Sequence, residues 1–487
     1  MVVSQVSLNL GIDFGTKYTK VCVRDTDRDE SWVVIPGEAN SLLGSALILS
    51  QIGIKTDGTL VAGLTESEWE TEKVSCDVII DFLKMRLAHL DPGRQHQYWY
   101  SPVLSDFQGN NLSSCNALEN LCAFFLYRII QRSIEWICQD DPDRFKNVEV
   151  DWSVQIGVPV EYCDSPSLVR FRRVLCLAWH FYEINIIDVR FNELNDYLDD
   201  IHQSLVIDET PCLGIPEIAA AVYSYTFSRQ ARQGVYIFFD IGGGTTEGAA
   251  FKFYRTTDDQ PKIDFLSGLV EPIGVNALAK RIAQHSNELE LKVSQAIVNR
   301  GERILSGIEK VSKRYASQSP LRVGDHIANK YRVSTKVVKK NLNNNDINLY
   351  LLQILILSQA LIHRQVATVI RTCCKKLPYG ERTAISVFLG GGGKVSAYYQ
   401  DTIYATYDAF QLSSTGMPRY RMLDVPRPRD FDMKGIDEQH FHRFSIAYGL
   451  SIPDYQAPEF RLPRQFRDTP PLPVGQRWIP ETALDDG

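Results

Sequence analysis

One pattern occurs twice in this chain, and it restricts the fold more than any other feature. VSLNLGIDFGTKYTKVCVRD (Val6–Asp25) reads as a strand, a polar turn at Gly15–Thr16 and a second strand. VYIFFDIGGGTTEGAAFKF (Val235–Phe253) repeats it around Gly242–Thr246. Each copy ends its first strand on an aspartate and is followed by helical periodicity and a later strand, VDWSVQIGVPV in the first half and AISVFLGGGG in the second. A chain of 487 residues is too long for one small core. The repeat therefore predicts an α/β protein of two related lobes facing each other across a cleft.

Between the repeats, SALILSQIG and GTLVAGL form a strand pair around the turn signal Lys55–Gly58. Helical periodicity is expected over CDVIIDFLKMRLAHL and NALENLCAFFLYRIIQRSIEWICQ, and Asp164–Ser165–Pro166 opens a further helix. The apolar run Ile347–Ile362 carries Asn, Gln and Ser and is shorter than the roughly 20 residues that span a bilayer, so it reads as a buried helix. The N-terminal stretch lacks a basic region, a long apolar core and a small-residue cleavage site. That predicts a cytoplasmic protein, and the net charge of -7 argues against a nucleic-acid or anionic-membrane surface. Ten cysteines without a C-x-x-C pair are expected to be reduced structural thiols, and His89, His285, His440 and His442 to be surface histidines. Seven prolines between Pro453 and Pro480 predict an extended, linker-like tail over 451–487, with Pro470–Pro473 suited to docking on a partner or on the protein's own surface.

Three glycine-rich segments carry the chemistry. In Asp240–Ile241–Gly242–Gly243–Gly244–Thr245–Thr246, side-chain-free residues let the backbone approach a ligand and turn its N–H groups toward phosphate oxygens. Asp240 at the strand end suits the water shell of Mg2+. Asp13–Phe14–Gly15–Thr16–Lys17 follows the same logic, with an added amine. In Phe388–Leu389–Gly390–Gly391–Gly392–Gly393–Lys394, four glycines offer a flat platform for a planar base, with Lys394 alongside. No P-loop and no dinucleotide fingerprint is present in the sequence.

Taken in their order along the chain, from Asp13 through Asp240 to Phe388, these segments resemble the phosphate-1, phosphate-2 and adenosine motifs of the superfamily shared by actin, sugar kinases and heat-shock chaperone ATPases. Further segments are most similar to the seventy-kilodalton heat-shock (DnaK-type) ATPase. The resemblance implies a catalytic lysine at Lys84 in IIDFLKMRL and a metal-water carboxylate at Glu217 in IPEIAAAVYSY. It implies ribose and adenine contacts at Glu309, Ser312 and Lys313 in IEKVSKRY, and a closing helix at RFSIAYGL. It covers residues 8 to 450 and implies a two-lobed fold with duplicated ribonuclease-H-like mixed sheets. Lobe I is expected at 1–227, with a peripheral part at 37–111, completed by a closing helix at 436–450; lobe II is expected at 228–435, with a peripheral part at 276–349. The family's Gly-Gly-Glu-Asp-Phe-Asp signature is reduced here to IGVNAL around Gly274, which marks a divergent member.

The implied activity is slow hydrolysis of Mg2+-ATP to ADP and phosphate. Asp13 and Asp240 would hold the metal through water, Thr16, Lys17 and Thr245 would contact phosphates, and Lys84 and Glu217 would orient the attacking water. With only 37 residues after Leu450, the chain has no room for the family's peptide-binding domain, so a protein partner is expected to read out the nucleotide state. A filament-forming, cell-division-type ATPase is the alternative, and a small-molecule kinase a third reading.

Overall fold

The computed structural model describes residues 4–90, 104, 106–185, 189–278, 349–378, 385–411 and 420–470. The chain is α/β, built on two mixed sheets and a small antiparallel one. The first sheet starts from the long hairpin β1 (Ser4–Phe14) and β2 (Tyr18–Asp25), to which β3 (Glu30–Val33) adds antiparallel. On the other side of β1 lie β8 (Val148–Val158) and then β9 (Cys212–Pro216), both parallel.

The second sheet repeats this plan. The hairpin β10 (Gly234–Ile241) and β11 (Thr246–Arg255) carries β12 (Pro261–Glu271) antiparallel. β13 (Ile385–Gly390) and β14 (Tyr420–Leu423) extend it on the other side in parallel. Both sheets thus run third, second, first, fourth, fifth strand, with the same strand directions. The parallel neighbours need long crossovers, which helices supply. In the first sheet these include the helices Cys115–Asp140 and Ser167–Glu183, whose faces pack together in the core. In the second, the Leu349–Lys376 helix covers β11 and β12.

The segment Cys76–Ile80 is a strand, β7, rather than the start of a helix. It pairs with β5 (Ile52–Lys55), which also pairs with β6 (Leu60–Ala62), and this three-stranded sheet includes the expected hairpin. Alternation decides the matter: Ile80 is buried and Asp77 and Ile79 are exposed, which is the period-two pattern of a strand. The helix begins only at Leu83, after Phe82, a non-glycine residue in the left-handed region at φ 54°.

The segment 451–470 is not a free linker. Two short strands from the C-terminal region lie at equivalent edges: β15 (Phe431–Asp432) pairs in parallel with β3, and β16 (Glu459–Arg461) in parallel with β12. Beyond β16, the Arg464 N–H donates to Asp164 and the Thr469 N–H to the Lys375 carbonyl, 2.7 Å away. Proline explains why so short a strand suffices at an edge: Pro458 and Pro463 bracket it and stop further pairing. Residues 471–487, with most of the Pro470–Pro473 segment, lie outside the described residues.

Between β15 and β16, the Ser445–Ser451 helix lies across β1 and against the Glu217–Thr226 helix. The contact is close enough to require glycine on both sides. A Cβ on Gly11 would strike the carbonyl of Ala447, and one on Gly449 the backbone of Ala220. Asn9 secures the helix end by donating to the Ser451 carbonyl at 2.8 Å. The cysteines are free thiols, most of them buried. His89 is buried against Tyr162 rather than exposed. Among the described residues, no helix is long and apolar enough to cross a membrane.

Forcing a methyl into a filled contact costs roughly 1–3 kcal/mol, because backbone must move. Gly449→Ala is expected to lower the urea midpoint accordingly while leaving the m-value unchanged. An unaltered midpoint would show that this helix is not tightly seated.

Candidate functional site

The two hairpins point their turns at each other. Thr16 Oγ1 and Thr245 Oγ1 lie 3.4 Å apart, and Gly243 and Gly244 rest against Lys17 and Thr16. Beside this junction opens a cavity of about 340 Å3. Its walls come from all three glycine-rich segments and include Asp13, Gly15, Thr16, Lys17, Lys84, Glu217, Asp240, Gly242, Gly243, Thr245, Gly391, Gly392 and Gly393.

Hairpin register sets the charges. Asp13 stands directly across from Lys20, and Asp240 directly across from Glu247. The first pair is a buried ion pair. The second sets two acids opposite each other, which is unfavourable unless a proton or a cation intervenes. Burial, then the charges of Asp13 and Glu217, push Asp240 up to about 7. Burial, then Glu217, raise Glu247 well above the usual carboxylate range, although it accepts the Val160 N–H at 2.6 Å. Asp240 Oδ1 and Glu247 Oε2 are buried without a hydrogen-bond partner among the described residues.

Lys84 is not a solvent-facing lysine. The strained residue Phe82 redirects the chain from β7 into the Leu83–Ala88 helix, and Lys84 points inward to form a buried ion pair with Glu217. Burial opposes its charge, but Glu217 and then Asp13 outweigh it and hold the ammonium's pKa up. Burial raises Glu217, with Lys84 opposing. Gly157 makes room for this carboxylate, since a Cβ there would lie 2.6 Å from Glu217 Cγ.

The second glycine turn has a definite polarity. The carbonyls of Gly242, Gly243 and Gly244 accept hydrogen bonds from the N–H groups of Val275, Asn276 and Gly274, respectively. Peptide planarity then turns the following N–H groups, those of Gly243, Gly244 and Thr245, to the opposite side. No described acceptor receives them. IGVNAL is thus a brace that engages the three carbonyls and leaves the three donors clear of it, on a turn whose Gly243 and Gly244 rest against Lys17 and Thr16.

Several expected residues lie elsewhere. Thr246 points away from the cavity and donates to Gln365 at 2.7 Å, as strand alternation requires of the neighbour of Thr245. Lys394 turns outward to an ion pair with Asp424 at 2.6 Å and does not line the cavity. Gly244 and Gly390 support the turns from behind, against Phe82 and Phe238. Glu309, Ser312 and Lys313 lie outside the described residues. The sequence reading missed Lys20, Glu247, Asn276 and Arg443, all of which line the cavity. Lys20 and Glu247 carried a signal: each follows its aspartate by the same interval, the one that antiparallel register converts into direct opposition.

Among the described residues, no three His, Cys, Asp or Glu side chains converge as a closed metal-ligand set. The unpartnered oxygens of Asp240 and Glu247 nevertheless suit a hydrated cation held from one side. No protein-family model matches the chain, and no curated protein sequence matches it either.

The raised Asp240 gives a signed pH prediction. An acid whose pKa is higher folded than unfolded contributes stability that is fully present below its unfolded value near 4 and lost as pH rises through about 7. Without divalent cations, stability should therefore fall between about pH 4 and 7, by on the order of 1 kcal/mol per unit, and level off above that. Asp240→Asn should flatten the slope in urea titrations. An equal slope in the variant would mean that Asp240 titrates normally.

Proposed function

We propose that this chain is a Mg2+-dependent ATPase of the actin-like superfamily, nearest the DnaK type, and that it works as a nucleotide-driven switch with a protein partner. The observation that carries the reading is the brace of residues 274–277 on the second glycine turn. It leaves three consecutive backbone donors without a described acceptor, on a turn that rests against Thr16 and Lys17, an arrangement suited to the oxygens of a polyphosphate. Supporting it, both sheets share one strand order, and each places an aspartate at the end of its first strand beside a glycine turn.

In this reading the two lobes of an actin-like fold meet at the cavity. Thr16, Lys17, Lys20 and Thr245 contact the phosphates from the two hairpins. Lys20 offers its ammonium below the first turn, with Asp13 occupying one donor and others left for oxygens. Mg2+, when bound, supplies charge neutralisation for the transferring phosphoryl group. Asp240 and Glu247 fit its water shell better than Asp13, which Lys20 already neutralises. Lys84 and Glu217 hold each other in a fixed geometry and orient the attacking water. Phosphoryl transfer asks mainly for this kind of positioning.

At 100 times its Kd, Mg2+-ATP would stabilise the folded chain by about 2.7 kcal/mol, which should raise Tm by at least a few degrees. Absence of both a Tm shift and a heat of binding would refute the proposal. Released ADP and phosphate, without transfer to small acceptors or sedimenting polymer, separate it from kinase and filament readings.

Lys84→Ala is expected to slow hydrolysis roughly 10²–10³-fold while retaining ATP binding. Because it leaves Glu217 buried and unpaired, Lys84→Met with Glu217→Gln serves as the folding control. Parent-like turnover in a folded Lys84 variant would remove Lys84 from the mechanism.

A further inference from the structure

The third glycine segment was expected to carry a basic side chain beside a planar group, and Lys394 does not fill that place. Arg443 does. It is the last residue of the Glu438–Arg443 3-10 helix, fixed on both sides by the buried rings of Phe441 and Phe444. A Cβ on Gly392 would lie 3.4 Å from Arg443 Nη1 and 3.7 Å from Cζ, so the guanidinium rests close to bare glycine backbone. Its Nε is buried without an acceptor. Arginine has five donors and no way to shed its charge, so a guanidinium left open on a cavity wall calls for an acceptor-bearing or planar ligand.

Its position indicates which part of the ligand it meets. A Cβ on Gly391 would touch Asp240 Oδ1, beside the deep carboxylates, whereas Gly392 is already against Arg443. The third segment therefore runs from Asp240, at Gly391, to the guanidinium, at Gly392. Resting on the nucleotide reading above, we propose that Arg443 binds the nucleoside part of the nucleotide, with its plane and donors directed to base and ribose rather than to the terminal phosphates. The contact comes from the turn that leads into the Ser445–Ser451 helix. Nucleotide occupancy would thereby be felt directly by the C-terminal region.

The test compares Mg2+-ATP with Mg2+-tripolyphosphate, which keeps the phosphates and lacks the nucleoside, by calorimetry on the full chain. Arg443→Ala should weaken ATP binding about tenfold or more, the scale of a charge-assisted hydrogen bond, and leave tripolyphosphate binding unchanged. Arg443→Lys, which keeps the charge but not the plane, should not restore ATP affinity fully. Equal losses for both ligands would make Arg443 a phosphate contact and overturn the inference. Unchanged ATP affinity in Arg443→Ala would overturn it as well. Failure of the parent to bind ATP would remove the nucleotide reading and this inference with it. Since no described residue accepts a hydrogen bond from Arg443, the thermal midpoint of Arg443→Ala without ligand should stay within a degree or two of the parent's.

Discussion

Antiparallel register is the constraint on which the rest of the site depends. In each hairpin it converts a separation along the chain into direct opposition across two strands, setting Lys20 on Asp13 and Glu247 on Asp240. The two hairpins share a backbone plan but differ in sign. One hairpin is internally neutralised, and the other sets two acids at the cavity with no ion-pair partner among the described residues. Such an imbalance in a buried place is costly in isolation. It persists because the hairpins are long, carry the cores of their sheets, and cannot slip by one residue without turning every core side chain outward. The Lys84–Glu217 pair lies within the same field, and its geometry is fixed by elements that approach from outside both hairpins, the Leu83–Ala88 helix and the Glu217–Thr226 helix.

Close backbone approach is the second ingredient, and it serves two ends. At Gly11 and Gly449 the absence of side chains lets the Ser445–Ser451 helix sit directly on β1. At Gly391 and Gly392 the same absence lets backbone lie against Asp240 and Arg443. Gly391 adds a conformational requirement, since its φ of 74° is one that side chains rarely adopt. The first use is packing, and the second keeps open the cavity that Gly391 and Gly392 line.

Much of this was legible in the sequence. The repeated strand–glycine–strand pattern indicated an α/β chain that uses one plan twice, and strand-end aspartates with adjacent threonines marked the residues that meet at the cavity. What stayed hidden has identifiable physical causes. Thr245 and Thr246 read alike in sequence, yet strand alternation sends only the first into the cavity. Lys394 follows a glycine run directly, but the 3-10 turn at Gly392–Val395 rotates it toward Asp424. Lys20 and Glu247 could have been found by counting the register; Arg443 could not, because its place depends on a C-terminal segment folding back across the molecule. β7 was mistaken for a helix because five residues bear too little periodicity to outweigh the helix that follows.

That returning segment has a mechanical consequence. The chain passes from the first sheet to the second at 227–233, back at 424–430, and across once more at 452–458. A single crossing would act as a swivel and two would define an axle. With three, each about seven residues and unable to extend beyond roughly 25 Å, the halves cannot drift apart as separate bodies. A widening of the cavity would then be a tilt, with slack taken up on one side and tension on the other. The crossing at 452–458 runs from the end of the Ser445–Ser451 helix to β16, so a change of angle between the sheets would be felt as pull on an outer edge.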